Sequence, residues 1–366
     1  MEPRTAELLS PEKVTRERGL RVVAIGGGTG LSTLLKGLKR FALTPAEIRE
    51  AKPDSVERGS PVIRDLCAVV TVSDDGGSSG RLRKELNMLP PGDIRNCIVA
   101  LSEDEALLSR LFQHRFAQGS GLEGHSFGNL FLAALTSITH DFSEAVRLSS
   151  EILVTRGHIH PATTSSVELE ALMEDGTRVR GETKITASKV RIQELFLVPP
   201  DVQPLPQTLE AIASADIISI GPGSLFTSLI PNLLVHGIAD AIVSSPATKV
   251  YICNLMTQAN ESLGLTAADH IRALNRHAHQ QIFDYALINR TPVSNELKAK
   301  YALEGACQIV ADLDGIEALG VVPILGDYLE EAGVARHNTN RVAYDLVQIP
   351  PSPAAAGRGK HSAAKL

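Results

Sequence analysis

The chain has 366 residues, and its 36 basic and 42 acidic side chains give a formal charge of −6, which argues against binding to duplex nucleic acid. Aromatic residues make up only 4% and tryptophan is absent, which disfavours a platform that stacks bases on aromatic rings. A hydrophobic fraction of 43%, carried mostly by small aliphatic residues, is typical of a globular protein in which helices cover both faces of a parallel sheet.

The chain starts with a charged segment, residues 1–20, which lacks the apolar core of a secretory signal and is expected to be a flexible leader. No apolar stretch approaches the about 20 residues that are needed to cross a bilayer. The four cysteines form no CxxC pair and have no zinc-site spacing. Together these features predict a reduced, cytoplasmic protein with no membrane span and no nucleic-acid partner.

From residue 21 to residue 349, short β-branched runs alternate with longer helical patterns, which predicts one α/β domain. The sequence predicts strands at residues 21–25, 68–72, 216–220 and 249–253. It predicts helices at residues 31–40, 94–101, 128–136, 225–235 and 267–276. Because each buried strand leads through a turn into a helix, the expected architecture is a doubly wound, mostly parallel sheet.

Three segments depart from this alternation. Residues 43–64 are polar and contain three prolines, which indicates an exposed insertion. Residues 153–196 alternate β-branched and polar side chains around a turn at residues 174–177, which predicts a small antiparallel β excursion from the main sheet. Residues 350–366 are rich in proline, alanine, glycine and lysine, and we expect a disordered tail there.

The first predicted strand ends in IGGGTGLST, in which Gly27, Gly28, Thr29 and Gly30 open the following helix. Glycine lets the backbone approach a ligand, and the free N–H groups of a helix N-terminus attract a phosphate. The spacing matches neither a P-loop nor the GxGxxG fingerprint of dinucleotide-binding proteins, so an NAD-dependent dehydrogenase is the least favoured class. The alternative is a tight turn that only packs the helix on the strand.

The second predicted strand ends in SDDGGSSGRLR, which brings Asp74, Asp75, Ser78 and Arg81 into one turn. Parallel sheets bind ligands outside the carboxyl ends of their strands. At such a place the two carboxylates could bind Mg²⁺, hydrogen-bond a sugar hydroxyl or orient an acceptor nucleophile, while Ser78 and Arg81 contact an anion. The alternative is an Asx-turn followed by a solvated basic patch.

Two further helix starts carry polar residues. The sequence PPGDIRN predicts Asp93 as the N-cap and leaves Arg95 and Asn96 in the first turn, where a basic side chain opposes the helix dipole. Those two residues therefore either reach a ligand or, in the arginine's case, form a structural ion pair. The sequence GHSFGN opens another helix, in which Asn129 is a candidate donor to a nucleotide or sugar. His125 is a candidate acid or base, although a lone histidine is more often structural.

The strand predicted at residues 216–220 leads into GPGSLFTS, a second glycine turn before a helix, with Gly221, Gly223 and Ser224 as candidate anion contacts. Asn254 follows the next predicted strand and suits the edge of a base or a sugar. Two glycine turns at strand ends of one sheet, with an acidic pair between them along the chain, predict a single crevice whose backbone amides enclose a pyrophosphate.

Eight motifs in chain order resemble the YvcK family of gluconeogenesis factors, which are relatives of CofD, the 2-phospho-L-lactate transferase. These motifs are IGGGTGLSTLLKGLK, VVTVSDDGGSSGRLRKEL, LPPGDIRNCIVALS, LFQHRF, GHSFGNLFLAALT, IGPGSLFTSLIPNLLV, YICNLMTQ and RHNTNRV. The resemblance covers residues 21 to about 347 and implies a three-layer Rossmann-like α/β fold. The chain departs from the family pattern at Ser73, where the family commonly has alanine, and in its insertion, which is longer than the family usually carries.

The resemblance implies a bacterial cytosolic protein that binds a uridine-diphosphate sugar such as UDP-N-acetylglucosamine. It also implies a regulatory role in cell shape and envelope precursor supply during growth on gluconeogenic carbon, with a protein partner in envelope metabolism. Tyr301 and Arg336 fall where the family's nucleotide-sugar contacts are expected, and Asp74 and Asp75 match the metal region of CofD-like proteins. A tyrosine can stack on a base and an arginine can clamp a diphosphate, but alone both are ordinary surface residues.

Two classes of function therefore stay open. The first is a ligand-sensing regulator, which changes its contact with a partner when the UDP-sugar binds. For this class the sequence identifies no definite cofactor. The second is a CofD-like transferase of phosphorus-containing groups, in which Asp74 or Asp75 holds Mg²⁺ or orients the acceptor. With 4% aromatic residues the sequence offers no evident stacking pocket for the deazaflavin acceptor of CofD. A homo-oligomer is compatible with either class.

Overall fold

The computed structural model of the protein describes residues 19–44, 63–103 and 105–352. Most of the predicted leader, insertion and tail lies outside the described residues, namely 1–18, 45–62 and 353–366. Leu20 belongs to the first strand, and Ile63 and Arg64 belong to the second, so the predicted leader and insertion extend one and two residues too far. What was predicted for the residues outside the described ranges stays a prediction.

The described strands are β1 (Leu20–Gly26), β2 (Ile63–Val70), β3 (His158–Pro161), β4 (Glu168–Met173), β5 (Arg178–Arg180), β6 (Ile192–Val198), β7 (Ile217–Ile220), β8 (Thr248–Ile252), β9 (Tyr285–Asn289), β10 (Val322–Gly326), β11 (Leu329–Glu331) and β12 (Ala335–His337). The described α-helices are α1 (Gly28–Leu38), α2 (Gly77–Leu86), α3 (Gly92–Leu101), α4 (Glu105–Gln113), α5 (Phe127–Thr139), α6 (Phe142–Ile152), α7 (Glu182–Ala187), α8 (Pro206–Ser214), α9 (Ile230–Leu233), α10 (Ile238–Ser244), α11 (Ala267–Ala278), α12 (Asn295–Ala302), α13 (Leu313–Glu317) and α14 (Thr339–Gln348).

Seven strands form one parallel sheet in the order β10-β9-β8-β7-β1-β2-β3. In the middle of this sheet, Ala24 of β1 pairs with Ala68 of β2 on one side and with Ser219 of β7 on the other. From β1 the chain first builds the sheet outward through β2 and β3, and later returns to build the opposite half from β7. The gap between β1 and β7 is therefore the topological switch point, the place at which open α/β sheets bind ligands.

Both faces of the sheet are covered by helices. Val22 to Ile25 are consecutive residues of β1 and each is at most 2% exposed, so side chains on both faces of the strand are buried. Among the covering helices, α1 packs against α3 and α14, and α8 packs against α10. The prediction of a doubly wound, three-layer α/β fold is confirmed.

The predicted β excursion is correct in kind and wrong in its N-terminal extent. A separate antiparallel sheet has the strand order β5-β4-β6, and its turn at residues 174–177 is closed by Asp175, whose Oδ1 accepts the N–H of Thr177 at 2.9 Å. However, β3 belongs to the parallel sheet, where it pairs with β2. As an edge strand of four residues with an exposed first residue, β3 lacks the continuous apolar run that marks the central strands.

The helix predicted at residues 225–235 is also interrupted. Its first part is a π-helical turn, Leu225–Leu229, and a regular α-helix follows only at α9. Pro231 has no N–H to donate to the carbonyl of Thr227, so a regular α-helical pattern cannot run through this position.

Over the described part of the chain, no single helix is both long and apolar enough to cross a membrane. The pair Leu225–Leu233 and Ile238–Ser244, bent by 75°, reaches that length and composition only together. Three of its apolar residues, Leu229, Ile230 and Ile242, are fully buried in the core.

Candidate functional site

The two glycine turns lie side by side because β1 and β7 are neighbours in the sheet. A Cβ atom on Gly30 would lie 2.3 Å from the carbonyl oxygen of Pro222, so the backbones of the two turns are in direct contact. The buried side chain of Asn232 holds them together, since its Nδ2 donates to the carbonyl oxygens of Gly26 at 3.2 Å and Ser228 at 2.8 Å. The prediction that both turns border one crevice is confirmed.

This crevice, which we call the large cavity, has a volume of about 680 Å³. It collects residues from the two glycine turns, from the ends of β2 and β8, from α12 and from the β11–β12 hairpin. Ten of the predicted site residues line it: Gly27, Gly28, Thr29, Gly30, Asp74, Gly223, Ser224, Asn254, Tyr301 and Arg336. The remaining predicted residues lie elsewhere.

The N-terminus of α1 presents backbone N–H groups to the large cavity. Gly28 has a φ of +62°, a conformation that favours glycine, and its backbone N–H lowers the pKa of the nearby Asp93 carboxyl group. The N–H groups of Thr29 and Gly30 follow in the first helical turn, where backbone donors have no intrahelical acceptor. These two groups and the positive end of the helix dipole can therefore contact an anion in the large cavity.

The second glycine turn differs from the prediction of a second anion cradle. The carboxylate of Glu261, which is 7% exposed, accepts the N–H groups of Phe226 at 2.8 Å and Thr227 at 3.0 Å. The N–H of Gly223 donates to Oδ1 of Asn254 at 3.0 Å. The N–H groups of Phe226 and Thr227 are therefore bonded to Glu261, and that of Gly223 is bonded to Asn254. The prediction that this turn binds an anion is wrong for these three N–H groups.

The pKa of Glu261 is raised because burial disfavours its charged form, while the N–H bonds from Phe226 and Thr227 oppose that effect. Gly221 does not line the large cavity either. Its φ is +91°, and a Cβ there would lie 2.7 Å from the carbonyl oxygen of Ile252. Gly221 therefore shapes the turn.

The two carboxylates of the predicted acidic pair point in different directions. Asp74 lines the large cavity, and its Oδ1 accepts the N–H of Gly76 at 2.8 Å. Asp75 instead accepts the N–H of Thr183 at 2.9 Å and its hydroxyl at 2.5 Å, which anchors the start of α7. Asp75 therefore does not line the large cavity, and a ligand in that cavity meets Asp74 alone of the pair.

Two other carboxylates, Asp93 and Glu182, join Asp74 in the large cavity. The prediction of Asp93 as a helix N-cap is wrong: Pro91 holds that position, and Asp93 faces the first glycine turn. Burial raises the pKa of Asp93 to about 6, with the Gly28 N–H lowering it and the Asp74 charge raising it. Glu182 begins α7, more than 80 residues further along the chain, and no local pattern in the sequence marks it.

The sequence predicted a Mg²⁺ site at the acidic pair Asp74 and Asp75. In the structure, the carboxylates that line the large cavity and could supply hard oxygen ligands are those of Asp74, Asp93 and Glu182. Within residues 19–44, 63–103 and 105–352, however, no group of three or more histidine, cysteine or acidic residues is arranged to hold a metal ion. Mg²⁺ is usually held by one or two carboxylates together with the phosphates of a ligand. The residues fit that mode, with Asp74 and Asp93 in place of the predicted Asp74 and Asp75.

The partly buried carboxyl group of Glu182 affects the stability of the protein in a way that depends on pH. Burial raises its pKa to about 9, with smaller contributions from Asp74 and Asp93. Because the folded state binds this proton more tightly than the unfolded state, the stability that it contributes is full below about pH 4.5 and is lost as pH rises towards 9.

We expect Glu182→Gln to melt about 2 °C above the wild type at pH 8, since glutamine carries no charge, and to lose this advantage towards pH 5. Differential scanning calorimetry across this pH range checks it, with exposed Glu210→Gln as the matched control. A difference in Tm that stays constant with pH would contradict the assignment.

Four predicted residues, Ser78, Arg95, Asn96 and Asn129, line a second cavity of about 220 Å³, which shares Asp74 and Asp93 with the large cavity. Arg81 borders an open depression of about 510 Å³ that continues from it past Ser78 and Arg115. We call these joined spaces the arginine pocket, defined by Ser78, Arg81, Arg95, Asn96, Arg115 and Asn129. Sequence reasoning missed Arg115, which only the resemblance motif LFQHRF contained.

Within the described part of the chain, Arg95 does not form the structural ion pair that the sequence left open as the alternative to a ligand contact. Its guanidinium donates to Ser126 Oγ at 2.7 Å, Asn129 Oδ1 at 3.0 Å and Asn96 Oδ1 at 2.8 Å. His125 is buried, and its Nδ1 is hydrogen-bonded to Ser78 Oγ at 2.9 Å. Burial, and then the charge of Arg81, lowers the pKa of His125, which is a structural partner of Ser78.

The far wall of the large cavity is built by residues distant in sequence. The Tyr301 hydroxyl accepts the N–H of Ala335 at 3.2 Å, which ties α12 to β12 and places Arg336 at the rim. His337 Nε2 is 3.0 Å from the carbonyl oxygen of Cys253, and burial lowers its pKa to about 4, so the neutral ring donates this bond at pH 7. Gln258 donates to Ser224 Oγ at 2.8 Å, while its buried Oε1 has no partner among the described residues.

Comparison with known proteins gives three consistent findings. The family model described as 2-phospho-L-lactate transferase CofD matches residues 22–329. Gluconeogenesis factors from Halalkalibacterium halodurans and Bacillus subtilis are 49% and 47% identical over 332 and 330 residues, which is 90% of this chain and 96% and 98% of theirs. A crystal structure of a UPF0052-family protein from Bacillus halodurans has a TM-score of 0.82 at 48% identity, covering 90% of this chain and 99% of that one.

Proposed function

The chain belongs to the CofD family, whose model covers most of it, and we propose that it binds a uridine-diphosphate sugar such as UDP-N-acetylglucosamine in the large cavity. The resemblance to gluconeogenesis factors that the eight motifs predicted is confirmed by relatives at 47–49% identity. One observation carries the proposal: the N-terminus of α1, Tyr301 and Arg336, from opposite ends of the chain, line one cavity.

The lining of the large cavity supports a ligand with a diphosphate and polar rings. Its volume of about 680 Å³ lies within the range of small-ligand sites. The amides of Thr29 and Gly30 can contact phosphate oxygens, and Arg336 can clamp a diphosphate from the other side. Asn254, Thr257 and Gln258 line the cavity beyond the second glycine turn and supply amide and hydroxyl groups for a base or a sugar.

We further propose that the bound sugar nucleotide regulates, in the cytoplasm, the supply of envelope precursors and thereby cell shape during gluconeogenic growth. This role rests on the resemblance and on the name that the relatives carry. Regulation by a ligand requires a difference in affinity between two conformations. The β11–β12 hairpin, which carries Arg336 at the rim and contacts α12 through Tyr301, is the element whose position a ligand would change.

Calorimetric titration with UDP-N-acetylglucosamine tests the binding proposal. We expect saturable binding, weakened about tenfold to a hundredfold by Arg336→Ala, because a hydrogen bond to a charged group contributes about 1.5–3 kcal/mol. Tyr301→Ala should weaken binding as well, and Tyr301→Phe should cause a smaller loss because the ring remains. Exposed Arg110→Ala and Tyr344→Ala are the matched controls. Absence of binding to the wild type would refute the proposal.

A CofD-like transferase is the second candidate, because the matching family model carries that description and because carboxylates lie beside the α1 N-terminus. In that case Asp74 and Asp93 would hold Mg²⁺, which would supply charge neutralisation at the ligand's phosphates. Mass spectrometry of the UDP-sugar after incubation with protein, Mg²⁺ and hydroxyl acceptors separates the two candidates. Steady product formation, lost in Asp74→Asn, would favour the transferase; an unchanged sugar nucleotide favours the regulator.

A further inference from the structure

The arginine pocket brings three guanidinium groups together, and none of them is in direct contact with a carboxylate of the described residues. Arg81 Nη2 donates to the main-chain carbonyl of Glu123 at 2.5 Å, and Arg115 Nη1 donates to that of Gly124. Adjacent neutral carbonyl groups thus hold two positive side chains next to each other. Although Asp74, Asp93 and the Glu123 side chain border these spaces, none of the three arginines forms a salt bridge within the described part of the chain.

The third guanidinium, that of Arg95, lies at the inner end of the pocket. Its two terminal nitrogens donate to neutral oxygens of Asn96, Ser126 and Asn129. Its Nε is buried and has no acceptor among the described residues, which is an unfavourable state for a charged donor. Burial lowers the pKa of Arg95 and the nearby charge of Arg115 lowers it further, while the charges of Asp93 and Asp74 oppose both effects.

Backbone donors add to this positive region. The helices α2 and α3 begin at Gly77 and Gly92, and both glycines border a space of about 220 Å³. The adjacent Ser78 hydroxyl is oriented by Asn129 Nδ2 at 3.0 Å and by the ring of His125. The positive ends of two helices, a hydroxyl and two arginines, Arg95 and Arg115, surround the small space, and Arg81 borders the adjoining depression. Together they form the donor set that phosphate-binding sites use.

We propose that the arginine pocket binds a phosphate monoester, as a second ligand separate from the one in the large cavity. The inner space of about 220 Å³ suits a phosphate group rather than a whole nucleotide, and the open depression of about 510 Å³ leaves room for the organic part. The planar fork of arginine matches phosphate oxygens in pairs, which favours phosphate over a single halide ion. Asp74 and Asp93 separate the two ligands, so the second ligand lies directly beside the first.

Equilibrium dialysis with radiolabelled inorganic phosphate, at a constant chloride concentration of about 150 mM to screen non-specific attraction, tests this inference. We expect saturable binding to the wild type and at least about tenfold weaker binding to Arg115→Gln and Arg81→Gln, whose side chains are exposed and whose replacement leaves the core intact. Arg110→Gln, with the same charge change on neighbouring α4, should bind phosphate like the wild type. Circular dichroism confirms that each variant is folded.

Three outcomes would overturn the inference. Wild-type protein that binds no phosphate, or Arg115→Gln and Arg81→Gln variants that bind it as well as the wild type, would exclude the arginine pocket. Displacement of phosphate by saturating UDP-N-acetylglucosamine would place the anion at the α1 N-terminus instead. Because the dialysis needs no sugar nucleotide, failure of the UDP-sugar proposal leaves this test valid, and the two results are read separately.

Discussion

Gly30→Ala is expected to abolish UDP-sugar binding and to destabilise the protein by about 1–3 kcal/mol. In an isolated helix this change would be favourable, because alanine has a higher helix propensity than glycine. In the folded protein the added Cβ would lie 2.3 Å from the carbonyl oxygen of Pro222 and 2.9 Å from Cα of Gly223. The two glycine turns must then move apart, and the large cavity loses the geometry of its phosphate-binding end.

The matched control is Gly26→Ala, four residues earlier at the end of β1. There the added Cβ would meet side chains of Leu229 and Leu31 at 3.4 Å and 3.5 Å, which are ordinary van der Waals distances. Calorimetric titration and urea denaturation of both variants check the prediction. If Gly30→Ala binds UDP-N-acetylglucosamine as tightly as Gly26→Ala does, contact between the turns is irrelevant to ligand binding.

Glu261→Ala is expected to lower the free energy of unfolding by about 2–4 kcal/mol, because it leaves the buried N–H groups of Phe226 and Thr227 without an acceptor. Each unsatisfied donor costs about 1–3 kcal/mol, and relief from burying a charge offsets part of that cost. Since these N–H groups begin the segment that shapes the second glycine turn, UDP-sugar binding should weaken in parallel.

Glu261→Gln provides the control, because its amide oxygen can still accept both N–H groups. We expect a loss of about 1 kcal/mol in this variant, measured by urea denaturation, and almost none in the exposed Glu304→Ala. Equal destabilisation by alanine and glutamine would show that the charge of Glu261, rather than the acceptor oxygen, stabilises the turn.

Much of the candidate site could be predicted from local sequence because glycine turns and strand ends have local signatures. Gly27, Gly28 and Gly30 are recognisable as a turn that opens a helix, and the order of strands and helices places that turn at one edge of a parallel sheet. The second turn is recognisable in the same way. That β1 and β7 are neighbours, although almost 200 residues separate them, follows from strand pairing and is visible only in the structure.

The direction of each carboxylate could not be predicted. Asp74 and Asp75 are identical in chemistry and adjacent in sequence, yet one faces the large cavity and the other binds Thr183 of α7. The second glycine turn looks like an anion site until Glu261, more than 30 residues further on, is seen to occupy its amides. Such partners come from other elements, and a local pattern contains no information about them.

The sequence by itself determined the α/β class and both glycine turns, because backbone conformation and periodic burial depend on neighbouring residues. Its eight motifs, by their resemblance to a known family, also indicated the kinship with gluconeogenesis factors. Only the tertiary structure decided which charged groups line the same cavity. It places Asp93 and Glu182 beside Asp74 in the large cavity and directs Asp75 towards Thr183 instead. It also places Arg95 in a second space, which shares only Asp74 and Asp93 with the large cavity. The physical reason is that Coulomb and hydrogen-bond energies depend on distance in space, which distant strands and helices set when they pack.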